Sequence, residues 1–151
     1  MKIVVDDLSS AEIAAFLQEH VTEMRSVTPI ESAHALELDG LRQPDVAFWT
    51  VRDGSTLAGC GALKELEPGH AEIKSMRTAP GYTQQGVGSL LLQHMMSEAR
   101  ARGVRRLSLE TGSMPYFEPA RRLYLKHGFE YCEPFADYRE DPNSVFMTRT
   151  L

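Results

Sequence analysis

Apolar and polar residues follow two different periods along the chain, and each change of period marks out an element. Lys2–Val5 reads as a short strand. Ser9-Ser10-Ala11-Glu12 then has the form of a capping box opening a helix. Ile13, Phe16, Leu17, Val21 and Met24 follow at helical spacing and form one apolar stripe. A second, shorter helix is expected over Glu31–Leu41, ended by Gly40 and Pro44. From Val46 the pattern becomes strand-like. Ala47–Val51 reads as a strand, Asp53-Gly54 as a hairpin turn and Thr56–Leu66 as the returning partner. Pro68-Gly69 marks the next turn and Ala71–Thr78 the next strand. Pro80-Gly81 breaks it, and a glycine-bearing loop leads into a long helix. Leu91, Leu92, Met95, Met96 and Ala99 are the buried face of that helix, and Gly103 is its C-cap. Arg106–Thr111 is a further strand. Pro119 starts a short helix ending at Gly128, and Phe129–Cys132 and Val145–Thr150 are two closing strands.

The order βααβββαβαββ mixes hairpins with strand–helix–strand units. It predicts one α/β (α+β) domain over residues 1–151, with a mixed, mostly antiparallel sheet flanked by helices. Composition adds exclusions. No apolar run approaches the ~18 residues of a membrane span, and two aspartates follow the first apolar residues, unlike a secretory signal. A cytoplasmic protein is expected. Cys60 and Cys132 fit neither a metal-ligand spacing nor a disulfide framework, so no metal is expected and both read as buried apolar-like thiols. The net charge of −5 argues against a nucleic-acid partner, which needs clustered Lys and Arg. The charge is uneven. Residues 1–45 hold nine acids (Asp6, Asp7, Glu12, Glu19, Glu23, Glu31, Glu37, Asp39, Asp45) and three bases (Lys2, Arg25, Arg42), a net of −6.

The segment Thr83-Gln84-Gln85-Gly86-Val87-Gly88-Ser89 lies between a strand and a helix. The first turn of a helix offers amides without partners and a partial positive charge, and glycines let a phosphate approach them. Two nucleotide motifs fail on their key residue. Val87 stands where a Walker A loop needs lysine, and Leu91 stands at the third glycine of a dinucleotide fingerprint. Two readings remain for the loop by itself: an anion cradle, or glycines that permit a tight turn and close packing.

The loop does not occur alone. Ala71-Glu72-Ile73 precedes it, and Ala120-Arg121-Arg122-Leu123-Tyr124-Leu125-Lys126-His127-Gly128-Phe129 follows it. Together these segments resemble the GNAT superfamily of N-acetyltransferases, over at least residues 46–129. The resemblance implies acetyl-CoA as co-substrate and an amine as acceptor. It implies that backbone amides of Gln84, Gln85, Gly86, Val87, Gly88 and Ser89 take the pyrophosphate, and that Met76, Arg77 and Thr78 pair their backbone with the pantetheine arm. Thr83 departs from the family's Arg or Gln, and Phe117 stands where the family often has Asn.

The resemblance also assigns catalytic groups. Acyl transfer needs a neutral amine, donors on the developing oxyanion and a proton for the leaving thiolate. Tyr124, in its Leu-Tyr-x-x-x-Gly-Phe context, is similar to the tyrosine that donates to the coenzyme A sulfur; the alternative is a core tyrosine. Glu72 resembles the water-assisted base of some members, against a solvent-facing carboxylate paired with Lys74. His70 and Glu110 are reserve bases. A backbone N–H from Met76–Thr78 would serve as oxyanion donor. Lys126, with Arg121 and Arg122, could meet the adenosine 3′-phosphate, and the polar run Tyr138–Asn143 could frame the acceptor. In this superfamily the N-terminal helices wall the acceptor cleft, so the acidic front favours a cationic amine, a small molecule or a protein lysine. The resemblance leaves room for a homodimer. Rival readings are an acetyl-CoA-binding sensor without turnover and an acyltransferase using a longer acyl group.

Overall fold

The computed structural model describes residues 1–29 and 38–151. Its elements are β1 (Lys2–Val5), α1 (Ala11–Val27), α2 (Leu38–Leu41), β2 (Val46–Asp53), β3 (Thr56–Glu67), β4 (His70–Thr78), α3 (Val87–Ala101), β5 (Arg106–Gly112), α4 (Glu118–Lys126), β6 (Glu130–Cys132) and β7 (Ser144–Thr150). Short 3₁₀ turns at Pro80–Tyr82 and Pro115–Phe117 precede α3 and α4. The order matches the expected βααβββαβαββ. The expected start of the second helix lies outside the described residues. The N-terminal cap differs from the capping box. Ser10, not Ser9, caps α1 by accepting from Ile13 N–H at 3.2 Å. Ser9 instead bonds Asp7, and Glu12 pairs with Arg52, so no carboxylate folds back to the helix start.

The seven strands form one sheet in the order β1-β2-β3-β4-β5-β7-β6. Only β4 and β5 pair in parallel; the other neighbours are antiparallel. Successive side chains of a strand point to opposite faces, and the core divides accordingly. Trp49, Leu63, Ala71, Ile73, Leu107 and Leu109 pack with Leu91, Leu92 and Met95 of α3. Their strand neighbours Phe48 and Ala62 pack with Ile13, Phe16 and Leu17 of α1. One face of the sheet therefore carries α3 and α4, and the other carries α1.

Two features open the middle of this sheet. Cys60 pairs with Arg77 and Ala62 with Lys74, so Gly61 alone stands opposite Ser75 and Met76, and Ser75 takes a positive φ of 56°. This is a β-bulge. Gly61 lets side chains close over that point: a Cβ would lie 2.7 Å from Met76 Sδ and would push it aside. Just before the bulge β4 leaves its other neighbour. The parallel pairing runs from His70–Arg106 only to Ile73–Leu109, although β4 continues to Thr78 and β5 to Gly112. The two strands form a fork.

Candidate active site

The fork opens into a cleft of about 710 Å³ that runs from the β4–α3 loop to α1, bounded by β4, β5, α4 and the loop before β7. The loop end is built from backbone. Gln84 and Gly86 take positive φ values of 61° and 81°, which turns the chain sharply into α3. The first helical bond of α3 joins Leu90 N–H to the Gly86 carbonyl at 2.9 Å, so the amides of Gly86 to Ser89 precede the helical ladder. Alternating left-handed turns of this kind make a concave anion nest.

The opposite end is built from side chains. Ala71, Ile73, Leu107 and Leu109 face α3, so Glu72, Lys74, Ser108 and Glu110 face the other way. Glu110 lines the cleft, and burial, reinforced by the Glu72 and Asp141 carboxylates and opposed by Ser144 and Lys74, raises its pKa to about 7. Tyr124 of α4 reaches the same cleft and is 5% exposed. Its ring packs edge-on to Phe129 at 5.7 Å, and among the described residues its hydroxyl has no hydrogen-bond partner. Burial, together with the nearby Glu110 charge, holds that phenol protonated well beyond its ordinary range. A carboxylate poised near neutrality and a protonated phenol thus share one cleft with an amide nest.

Comparison with known proteins gives this arrangement its family. Residues 13–129 match the model of the Acetyltransferase (GNAT) family. The chain belongs to the GNAT acetyltransferase family. The uncharacterized N-acetyltransferase YsnE of Bacillus subtilis is 56% identical over 151 residues, covering 100% of both chains. The uncharacterized N-acetyltransferase YedL of Escherichia coli is 51% identical, over 99% of this chain and 94% of that one. A solved Bacillus subtilis acetyltransferase in complex with CoA superposes with a TM-score of 0.74 at 16% identity, over 99% of this chain and 98% of that one. The GNAT chain is therefore an acyltransferase, and its fold is that of an enzyme solved with CoA bound.

Within the GNAT cleft the residues expected from the sequence fall into distinct positions. Met76, Arg77, Thr78, Gln84, Gly86, Val87, Gly88, Ser89, Lys126, Glu72 and Tyr124 all line it. Gln85 does not; its side-chain amide donates to the Gly81 carbonyl at 3.0 Å and braces the loop. Gly88 serves packing as well as access, because a Cβ there would lie 3.0 Å from Leu123 Cδ2 on α4. The Arg77 side chain turns away toward α1. It donates to the Phe16 carbonyl at 2.7 Å and to Glu23 at 2.7 Å, and lies 4.3 Å above the Phe16 ring. Only the backbone of Arg77 is left for the open edge of β4.

Glu72 is buried rather than solvent-facing, at 3% exposure. Lys74 Nζ donates to its Oε2 at 3.2 Å and Tyr138 Oη donates to the same oxygen at 2.6 Å. The sequence offered the Lys74 pairing but not Tyr138, which reaches β4 from 66 residues away. Other candidates are engaged elsewhere. His70 bonds Ser108 Oγ at 2.7 Å, outside the cleft lining. Arg121 donates to the carbonyls of Gly112 at 2.6 Å and Met114 at 3.0 Å and so secures the turn into α4. Cys60 is buried, and desolvation raises its thiol to about 12. Cys132, expected to be buried, is half-buried.

The acidic front of residues 1–45 meets the cleft in part. Of its seven described acids only Glu23 lines the cleft, and Arg77 and Tyr116 already bond it. His20 lines the cleft one turn earlier, and burial beside Arg77 lowers its pKa to about 4, so it is neutral. No described helix is long and apolar enough to cross a membrane.

Proposed function

We propose that the chain is an acetyl-CoA-dependent N-acetyltransferase that passes the acetyl group directly to a primary amine within a ternary complex. The coenzyme's pyrophosphate sits on the amides of Gln84 to Ser89, and its pantetheine arm runs along the unpaired backbone of Met76, Arg77 and Thr78. Lys126 and Arg122 stand at the cleft edge for the 3′-phosphate. The amine enters on the α1 face. The observation that carries the reading is the pairing of Glu110 and Tyr124 in one cleft, each in the protonation range its task requires.

Glu110 takes the proton from the acceptor ammonium, and the amine then attacks the thioester carbonyl. Backbone N–H groups beside the bulge in β4 face the oxyanion, and Tyr124 protonates the departing sulfur. Glu72, the base favoured by the sequence pattern, lies beside Glu110 but is already held by two donors. A cysteine intermediate has little support, because Cys60 is protonated and buried and Cys132 does not line the cleft. Because Glu110 must be ionised to accept a proton, turnover rises as pH increases through about 7. The acceptor is a small-molecule amine or a protein lysine.

A thiol-release assay over a panel of amines tests the reading. Release should require both acetyl-CoA and an amine, with acetylated amine formed one for one. Acetyl-CoA hydrolysis at one rate with and without every amine would contradict it.

A further inference from the structure

The polar face of the fork holds a charge pair beside the candidate base. Glu72 and Lys74 are two residues apart on β4 and share that face with Glu110 on β5. Their side chains are only 5% and 10% exposed, so solvent screens the pair weakly. Tyr138 closes the unit into a ring. Its hydroxyl donates to Glu72 Oε2 at 2.6 Å and accepts from Lys74 Nζ at 2.9 Å, while Lys74 also donates to Glu72 at 3.2 Å. Three hydrogen bonds thus fix one ammonium and one carboxylate where β4 parts from β5.

The members of this ring act on Glu110 with opposite sign. The Lys74 charge favours its ionised form, and the Glu72 charge opposes it. Burial is the largest influence and disfavours the charge; Asp141, from the loop before β7, adds to this, and Ser144 on β7 opposes it. From α4, Tyr124 faces Glu110 as a neutral phenol. From α1, His20 is neutral and Glu23 is bound to Arg77. Among these groups Lys74 is the cation that offsets the burial of Glu110.

We propose that the Glu72–Lys74 pair, locked by Tyr138, is a positioning unit that sets how readily Glu110 gives up its proton. The unit does not touch the reacting atoms. It places a cation beside the base and keeps that cation's own counter-charge fixed, so that Glu110 is neither trapped as the acid nor made too weak a base. This inference rests on the reading of Glu110 as proton acceptor.

The two ends of the pair can be removed separately. Glu72→Gln leaves Lys74 uncompensated and should move the acidic limb of kcat/KM to lower pH by about one unit. Lys74→Met should move it to higher pH, because the cation that favours ionised Glu110 is gone. The double variant should return the limb toward its wild-type position. Carboxyl-carbon NMR titration of Glu110 in the free protein reads the same shifts without turnover, and Lys74→Gln replaces Lys74→Met if the latter does not fold. Opposite shifts support the inference, since a merely structural pair would not produce them. Shifts in one direction, or none, overturn it. Loss of the limb in Glu110→Gln together with unshifted single variants would remove the inference and leave the base assignment standing; a limb retained in Glu110→Gln would remove the base assignment.

Discussion

The two ends of the cleft use different parts of the polypeptide. At the loop end the exposed groups are amides, presented by the left-handed turns at Gln84 and Gly86 and by the unpaired edge of β4. At the α1 end they are side chains: Glu72, Lys74, Glu110 and Tyr138, supplied by two strands and a distant loop. A backbone site depends on conformation and tolerates most side-chain changes that keep the fold. A side-chain site depends on identity, because one atom changed alters a charge or removes a proton. Under the proposed function, recognition of a constant co-substrate falls to the backbone end and the chemistry of the acceptor to the other.

The largest effect should come from invading the backbone end. Gly88→Glu puts a Cβ 3.0 Å from Leu123 and a carboxylate beside the first-turn amides of α3. Acetyl-CoA should then no longer raise the melting temperature, whereas it should do so for the wild type by mass action. Retained stabilisation in this variant would break the comparison, because binding would not depend on access to those amides.

That end was also the more legible in sequence. A strand, a glycine-bearing loop and a helix within a dozen or so positions offered an amide nest as one of two readings, since glycine and positive φ are local properties. The strands Ala71–Thr78 and Arg106–Thr111 were likewise legible, and the structure places both in the middle of the sheet. The other end was only partly readable. Glu72 and Glu110 stood out as strand carboxylates, but their rank depends on burial and on partners far away in the chain. Tyr138 bonds Glu72 across 66 positions, and no local pattern encodes that contact. The capping box failed for a related reason: Glu12 found Arg52, 40 residues distant, in place of the helix start. The acidic front could not be placed from composition, which counts charges without direction. Among its described acids only Glu23 lines the cleft, and Arg77 binds it.

This placement yields the smallest expected effect. With Glu23 as the front's one described cleft-lining acid, raising ionic strength from about 0.05 to 0.5 M should change the acceptor KM by less than about threefold, even for a cationic amine. A rise of tenfold or more would restore the acidic front as a steering surface and would blur the division between the two ends.

The division itself is tested most directly by Glu110→Gln, with acetyl-CoA affinity and kcat/KM measured on the same preparation at neutral pH. The substitution keeps the shape and removes the base. The account predicts that affinity for acetyl-CoA stays within about twofold of wild type while kcat/KM falls by about 10²–10⁴-fold. Unchanged turnover, or turnover and acetyl-CoA affinity lost together, would contradict it.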